Sequence, residues 1–331
     1  MSKFKQFYSL AKSDDHQGKV KKMNYTNQMN TIELLNITKT FNNHRAVDDL
    51  SLSVPKGSIY GFIGPNGSGK TTTIRMMMNI FYPDSGVIKL FGREHSGSRI
   101  NNVGYLPEER GLYKKMKVRE ILRFHASLKN ANNINQEINY WLNKFDLTDW
   151  ANKKVETLSK GMSQKIQFIV TIIDRPEIII LDEPFSGLDP VNTEVLKAAI
   201  LELRSDGATI VFSTHDMGVA EKMCDYIFMI HKGKKVLDGT LSSIQDKFGT
   251  DTIRIQTEGG YATLQNIPGI EKVNDFGQMQ EIRISPEADS QNIIRSILSK
   301  TYVSKFETAK PSLNEIFIRI AGPEEKEVKN A

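Results

Sequence analysis

With 331 residues, 39% of them hydrophobic and 25% charged, the chain has the length of about two domains and an ordinary globular composition, which excludes a peptide, a disulfide miniscaffold and wholesale disorder. Its net charge of +5 is concentrated in residues 1–30, where six lysines face only Asp14 and Asp15, so a basic solvated tail is expected there and no nucleic-acid partner for the rest. The single cysteine, Cys224, excludes an internal disulfide and a cysteine-only metal site, and suits a reducing, cytoplasmic setting.

The arm over 1–30 lacks the apolar run and small-residue cleavage site of a secretory signal. It is expected to lie outside the fold, and Met23 and Met29 offer later starts. Residues 31–41 (TIELLNITKTF) and 46–64 (AVDDLSLSVPKGSIYGFIG) alternate apolar and polar positions around a turn at Pro55-Lys56-Gly57, and read as strands. A helix is predicted over 71–81, closed by a turn at Pro83-Asp84-Ser85-Gly86. Apolar positions at helical spacing make 116–151 largely helical, with Trp141 and Trp150 expected in its core or rim rather than stacked on a ligand.

Ile178–Leu181 is a continuous apolar, mostly β-branched run, as in a strand covered on both faces, and 208–212 repeats the pattern after a helix predicted over 193–204. Alternating strands and helices predict a wound α/β sheet. From Val236 the texture changes. TIRIQT and QEIRIS alternate strictly, 289–298 and 313–320 read as helices, and a small α+β domain is predicted over 236–321, followed by a charged tail over 322–331. The most apolar windows, 166–173 and 178–181, fall far short of the roughly 18 residues that a membrane helix needs, so no span is expected.

Gly64-Pro65-Asn66-Gly67-Ser68-Gly69-Lys70-Thr71 fits G-x-x-x-x-G-K-[ST], follows the strand SIYGFI, and opens a helix through Thr72. Glycines at this spacing let successive backbone amides curl round phosphates at a positive helix end. Lys70 adds a point charge and the Thr71 hydroxyl a ligand for Mg²⁺. The strand Ile178–Leu181 then delivers Asp182 and Glu183 at its C-terminal end, the ligand side of a parallel sheet. Adjacent strand residues face opposite ways, so the two acids are given separate roles: Asp182 holds magnesium through water, and Glu183 acts as general base on the attacking water.

Leu158-Ser159-Lys160-Gly161-Met162, just ahead of the acidic strand, resembles the LSGGQ signature of ATP-binding cassette (ABC) proteins, with Lys160 in place of the first glycine and Met162 in place of the glutamine. Ser186-Gly187-Leu188-Asp189 resembles that family's D-loop, and His215 in Ser213-Thr214-His215-Asp216 its switch histidine. Taken in order, these pieces are similar to ABC ATP-binding subunits over residues 31–235. The stretch YLPEERGLY and the extension from GKKVLDG to SLNEIF narrow the resemblance to the branch serving ABC-2 type exporters, including sodium-efflux ATP-binding subunits.

The resemblance implies a RecA-like P-loop NTPase cassette over 31–235 with a helical insert over about 105–160, and a small accessory α+β domain behind it. It implies ATP and Mg²⁺ as ligands, a second copy of the chain as partner, and a separate ABC-2 type permease that draws the subunit to the cytoplasmic face of the membrane. Phe41 stands where the family stacks an aromatic ring on adenine, with Val47 as a nearby apolar contact. Glu108 stands where most relatives have the Q-loop glutamine and is expected beside magnesium with Thr71 and Asp182. Ser159, Gly161 and Asp189 are expected at the nucleotide of the opposite chain, and His215 at the γ-phosphate. The rival reading is a soluble ABC ATPase acting on nucleic acid or ribosomes. It lacks the paired cassettes, coiled coil or zinc cysteines that such proteins carry.

Overall fold

The computed structural model describes residues 30–94, 102–109, 111–129, 131–249, 252–285 and 287–322. The expected arm and charged tail, apart from Asn30 and Gly322, lie outside the described residues.

Strands β1 (Asn30–Phe41) and β2 (His44–Pro55) form a long hairpin, after which β3 (Ile59–Ile63) leaves for a second sheet. Strands β4 (Ser85–Leu90) and β5 (Arg93–Glu94) return to the hairpin, giving an antiparallel sheet ordered β2-β1-β4-β5. The second sheet adds β6 (Val103–Leu106), β7 (Ile178–Leu181), β8 (Thr209–Thr214), β9 (Tyr226–His231) and β10 (Lys234–Gly239) in the order β10-β9-β3-β8-β7-β6. All its neighbours pair in parallel except β9 and β10. Every residue of β3, β7 and β8 is buried, which is why these strands read as unbroken apolar runs. Because they run in the same direction, Gly64, Asp182 and His215 all emerge at one edge of the sheet.

Helix α1 (Lys70–Met77) follows β3; α2 (Val118–Leu128), α3 (Ile134–Lys144) and α4 (Lys160–Ile172) lie between β6 and β7; α5 (Pro190–Ser205) and α6 (Met217–Met223) flank β8. The helical segment packs around Trp141, which is 1% exposed, with Phe145 and Phe168 against it in series. The expected insert start at 105 falls inside β6. The helix predicted to 81 stops at Met77 because Asn79 takes a left-handed φ of 58°, which an α-helix does not accommodate.

The predicted boundary at 236 falls inside β10, whose Lys235 and Asp238 pair with Ile230 and Phe228 of β9. After α7 (Leu241–Asp246), a third sheet forms from β11 (Thr252–Thr257), β12 (Ile270–Asp275), β13 (Gln280–Ile284) and β14 (Val303–Ala309), ordered β12-β13-β11-β14. Helix α8 (Ser290–Leu298) buries Ile293 and Ile297 against this sheet. The last helix, α9 (Leu313–Ala321), does not. Its fully buried Leu313 and Ile316 join Ile63, Ala220, Ile227 and Met229 in the core beneath the second sheet.

Candidate active site

The loop after β3 is squeezed from two sides. A Cβ on Gly64 would come within 2.2 Å of the Ile230 carbonyl, and one on Gly69, at φ 109°, within 2.5 Å of the Ala46 carbonyl. Only glycine lets the backbone pass between β9 and β2 at these points. Gly69 precedes α1 without a side-chain cap, so the first-turn amides of that helix are left for a ligand.

Lys70 is the first residue of α1 and only 6% exposed. Its Nζ donates to the carbonyls of Gly64 at 2.7 Å and Pro65 at 3.2 Å, and stands 3.7 Å from Glu183 Oε1. Burial pulls its pKa below the ordinary lysine value, while Glu183, Asp182 and Glu108 hold it up. Gly64 and Pro65 therefore serve the site through Lys70. They are not among the residues lining the cleft.

Asp182 is fully buried. Its Oδ1 accepts from Ser213 Oγ at 2.5 Å and lies 3.4 Å from Thr71 Oγ1. Its Oδ2 is buried with no hydrogen-bond partner among the described residues, as is Ser68 Oγ inside the loop. A carboxylate with an unsatisfied oxygen beside a threonine hydroxyl is an all-oxygen donor set, which fits Mg²⁺.

Alternation along β7 does not reach Glu183. The strand ends at Leu181, and Glu183 takes a φ of 49° and lines the cleft itself, whereas Asp182 stands behind the cleft residue Thr71. Such a conformation costs a non-glycine residue on the order of 1–3 kcal/mol and persists only where its surroundings enforce it. Here the Glu183 N–H donates to Ser213 Oγ at 2.9 Å, and Oε2 lies 3.1 Å from His215 Nδ1. Ser213 thus holds both acids at once. His215 stands just before α6, whose N-terminus Asp216 caps by accepting from the Val219 N–H at 3.1 Å.

A cleft of about 410 Å³ gathers Phe41, Asn66, Gly67, Ser68, Gly69, Lys70, Thr71, Thr72, Glu108 and Glu183. Glu108 is exposed on its rim. Val47 is not there. The β1–β2 register slips between Lys39↔Val47 and Thr40↔Arg45, leaving Ala46 unpaired; Ala46 faces the cleft, and Val47 is fully buried in the core. His44 also lines the cleft, and sequence reasoning missed it. The two-residue turn Asn42-Asn43 was the signal, since it sets His44 opposite Phe41.

Ser159, Gly161 and Asp189 are not among the cleft residues. They form a second cluster. Ser159 caps α4 by accepting from the Met162 N–H at 3.2 Å, and Asp189 caps α5 by accepting from the Asn192 N–H at 2.9 Å. Those hydrogen bonds from Asn192 hold Asp189 below the usual carboxylate range. A Cβ on Gly161 would touch Asn192 and Leu188, so the two helix starts are neighbours, with the Lys160 ammonium lying against Gly187.

The family profile described as ABC transporter matches residues 47–186, and that described as ATP-binding protein DrrA1-3-like, C-terminal domain, matches 239–321. YhaQ of Bacillus subtilis (strain 168), an uncharacterized ABC transporter ATP-binding protein, is 43% identical over 288 residues, covering 86% of this chain and 97% of its own. LnrL of the same organism, a linearmycin resistance ATP-binding protein, is 29% identical over 302 residues, covering 87% of this chain and 97% of its own. A solved ATP binding subunit of an ABC transporter aligns with a TM-score of 0.63 at 29% identity, over 66% of this chain and 93% of that one.

Proposed function

The chain belongs to the ABC transporter ATP-binding proteins, and on that premise we propose that it is the ATPase of an ABC-2 type exporter, working as a dimer that closes on two ATP molecules and drives a separate permease. It is the ATP-binding, ATP-hydrolysing subunit of a transporter. No helix of the described residues is long and apolar enough to cross a membrane; in this reading the path for substrate belongs to the permease, as expected of an ATP-binding subunit. Export is supported by the similarity to LnrL along nearly its whole length and by the DrrA-like match behind the cassette. Membrane association then comes through the permease.

One observation carries the chemistry: Lys70, Glu183 and His215 converge at the mouth of the phosphate loop, with Glu183 held between the other two. Lys70 and the uncapped amides of α1 bind the phosphates. Glu183 accepts a proton from the attacking water, and His215 orients Glu183 and the γ-phosphate. Thr71, Asp182 and Glu108 would hold Mg²⁺, which supplies charge neutralisation on the phosphate oxygens when bound. The cluster of Ser159, Gly161 and Asp189 serves the nucleotide of the opposite chain, which is why it stands apart from the cleft of its own.

Glu183→Gln keeps the shape of the side chain and removes the base. ATP binding is expected to persist while turnover is lost, so an ATP-bound dimer accumulates, detectable by light scattering after gel filtration. Normal turnover by this variant would remove Glu183 from the role.

A further inference from the structure

Building on the nucleotide cleft described above, we propose that His44 is a nucleoside-contacting residue: its imidazole hydrogen-bonds the base or ribose of ATP, beside the ring of Phe41. Phe41 and His44 are cross-strand partners on either side of the Asn42-Asn43 turn, so their side chains leave the same face of the hairpin about 5 Å apart. Both line the cleft, as does Ala46, whose carbonyl faces Gly69 of the phosphate loop. Phe41 is already engaged, its ring edge-on to Phe81 with centroids 5.4 Å apart and the Lys39 ammonium 5.6 Å away.

The charged side chains of the hairpin tip have partners. Lys39 pairs with Asp84 at 2.7 Å, and Asp48 holds both Arg45 at 2.9 Å and Lys234 at 3.2 Å. The His44 imidazole has no side-chain hydrogen bond or ion pair among the described residues, and it opens on the cleft. The tip is also fixed in place. The Thr40 N–H donates to Asp84 at 2.7 Å, and the Asp48 N–H to the Gly233 carbonyl at 2.9 Å. An uncommitted donor–acceptor ring on a rigid hairpin is preorganised for a polar contact that an aromatic stack alone does not make.

The test is competition binding of ATP and of inorganic tripolyphosphate to the full chain, in the wild type, His44→Ala, His44→Gln and Lys70→Ala. His44→Ala is expected to raise the ATP Kd about five- to tenfold, as for one lost hydrogen bond. Tripolyphosphate binding should not change, and His44→Gln should recover part of the loss. Unchanged ATP affinity in His44→Ala, an equal loss for tripolyphosphate, or a His44→Gln variant as weak as alanine would each overturn the assignment. Lys70→Ala separates the two readings. If it leaves both ligands bound as in the wild type, the cleft itself is not the nucleotide site and the role of His44 falls with it.

Discussion

Gly67 and Gly69 lie two residues apart in the phosphate loop, both at positive φ, yet a Cβ on Gly67 meets nothing within 4 Å whereas one on Gly69 runs into the Ala46 carbonyl. Gly67→Ala should therefore cost only the left-handed backbone penalty of about 1–2 kcal/mol. Gly69→Ala should cost more, because a backbone carbonyl cannot move aside, and should also loosen the start of α1. Urea denaturation of the two variants checks this; equal losses would mean that β2 yields and the loop is not wedged. The loop motif was legible in the sequence because its chemistry is local. The geometry of Glu183 was not, because a left-handed φ at a strand end is imposed by Ser213 and His215, which arrive from another strand. Val47 was misplaced for a similar reason: the irregularity beside Ala46 breaks the period on which strand-face assignments rest.

Among the elements, α9 belongs to two neighbourhoods. Leu313 and Ile316 sit in the core below β3 and β9, and the Leu313 N–H donates to Glu221 of α6 at 2.5 Å. On the other side Arg319 pairs with Glu315 and reaches Thr252 of β11 at 3.2 Å. The helix thus ties the third sheet to α6, the element that begins two residues after His215. A chain ending at Pro311 keeps all four strands of the third sheet and loses this tie. At about 1.5–3 kcal/mol per buried aliphatic side chain, losing Leu313 and Ile316 alone should lower stability by about 3–6 kcal/mol.

Cys224 reports on the same seam. It packs against this core, and burial, with Asp225 beside it, pushes its thiol pKa up, so it should react slowly with a thiol reagent in the full chain and faster in the truncated one. Unchanged stability and labelling in the truncation would show that α9 is an ornament of the cassette. The α9 periodicity was plain in the sequence, but its destination was not, because an apolar face says that a helix is buried and not against what. The same limit placed the domain boundary at 236, inside a strand whose partner, β9, is fixed by pairing rather than by composition.

At the scale of the whole molecule, the residues proposed as the two halves of the catalytic machinery lie in separate places on one chain: a cleft with Lys70 and Glu183, Asp182 standing beside its Thr71, and a ridge with Ser159, Gly161 and Asp189. Order along the sequence pointed to both sets of residues. It could not reveal that the ridge misses its own cleft, which is a matter of how the starts of α4 and α5 meet at Gly161, Leu188 and Asn192. The central claim is that the ridge of one chain completes the cleft of another, and mixing two inactive variants tests it most directly. Lys70→Ala damages a cleft and Ser159→Arg a ridge, so a mixed dimer holds one doubly damaged site and one intact site. ATP turnover that neither variant shows alone should appear on mixing them. Absence of any recovery across mixing ratios, with mixed dimers shown to form, would contradict a shared site.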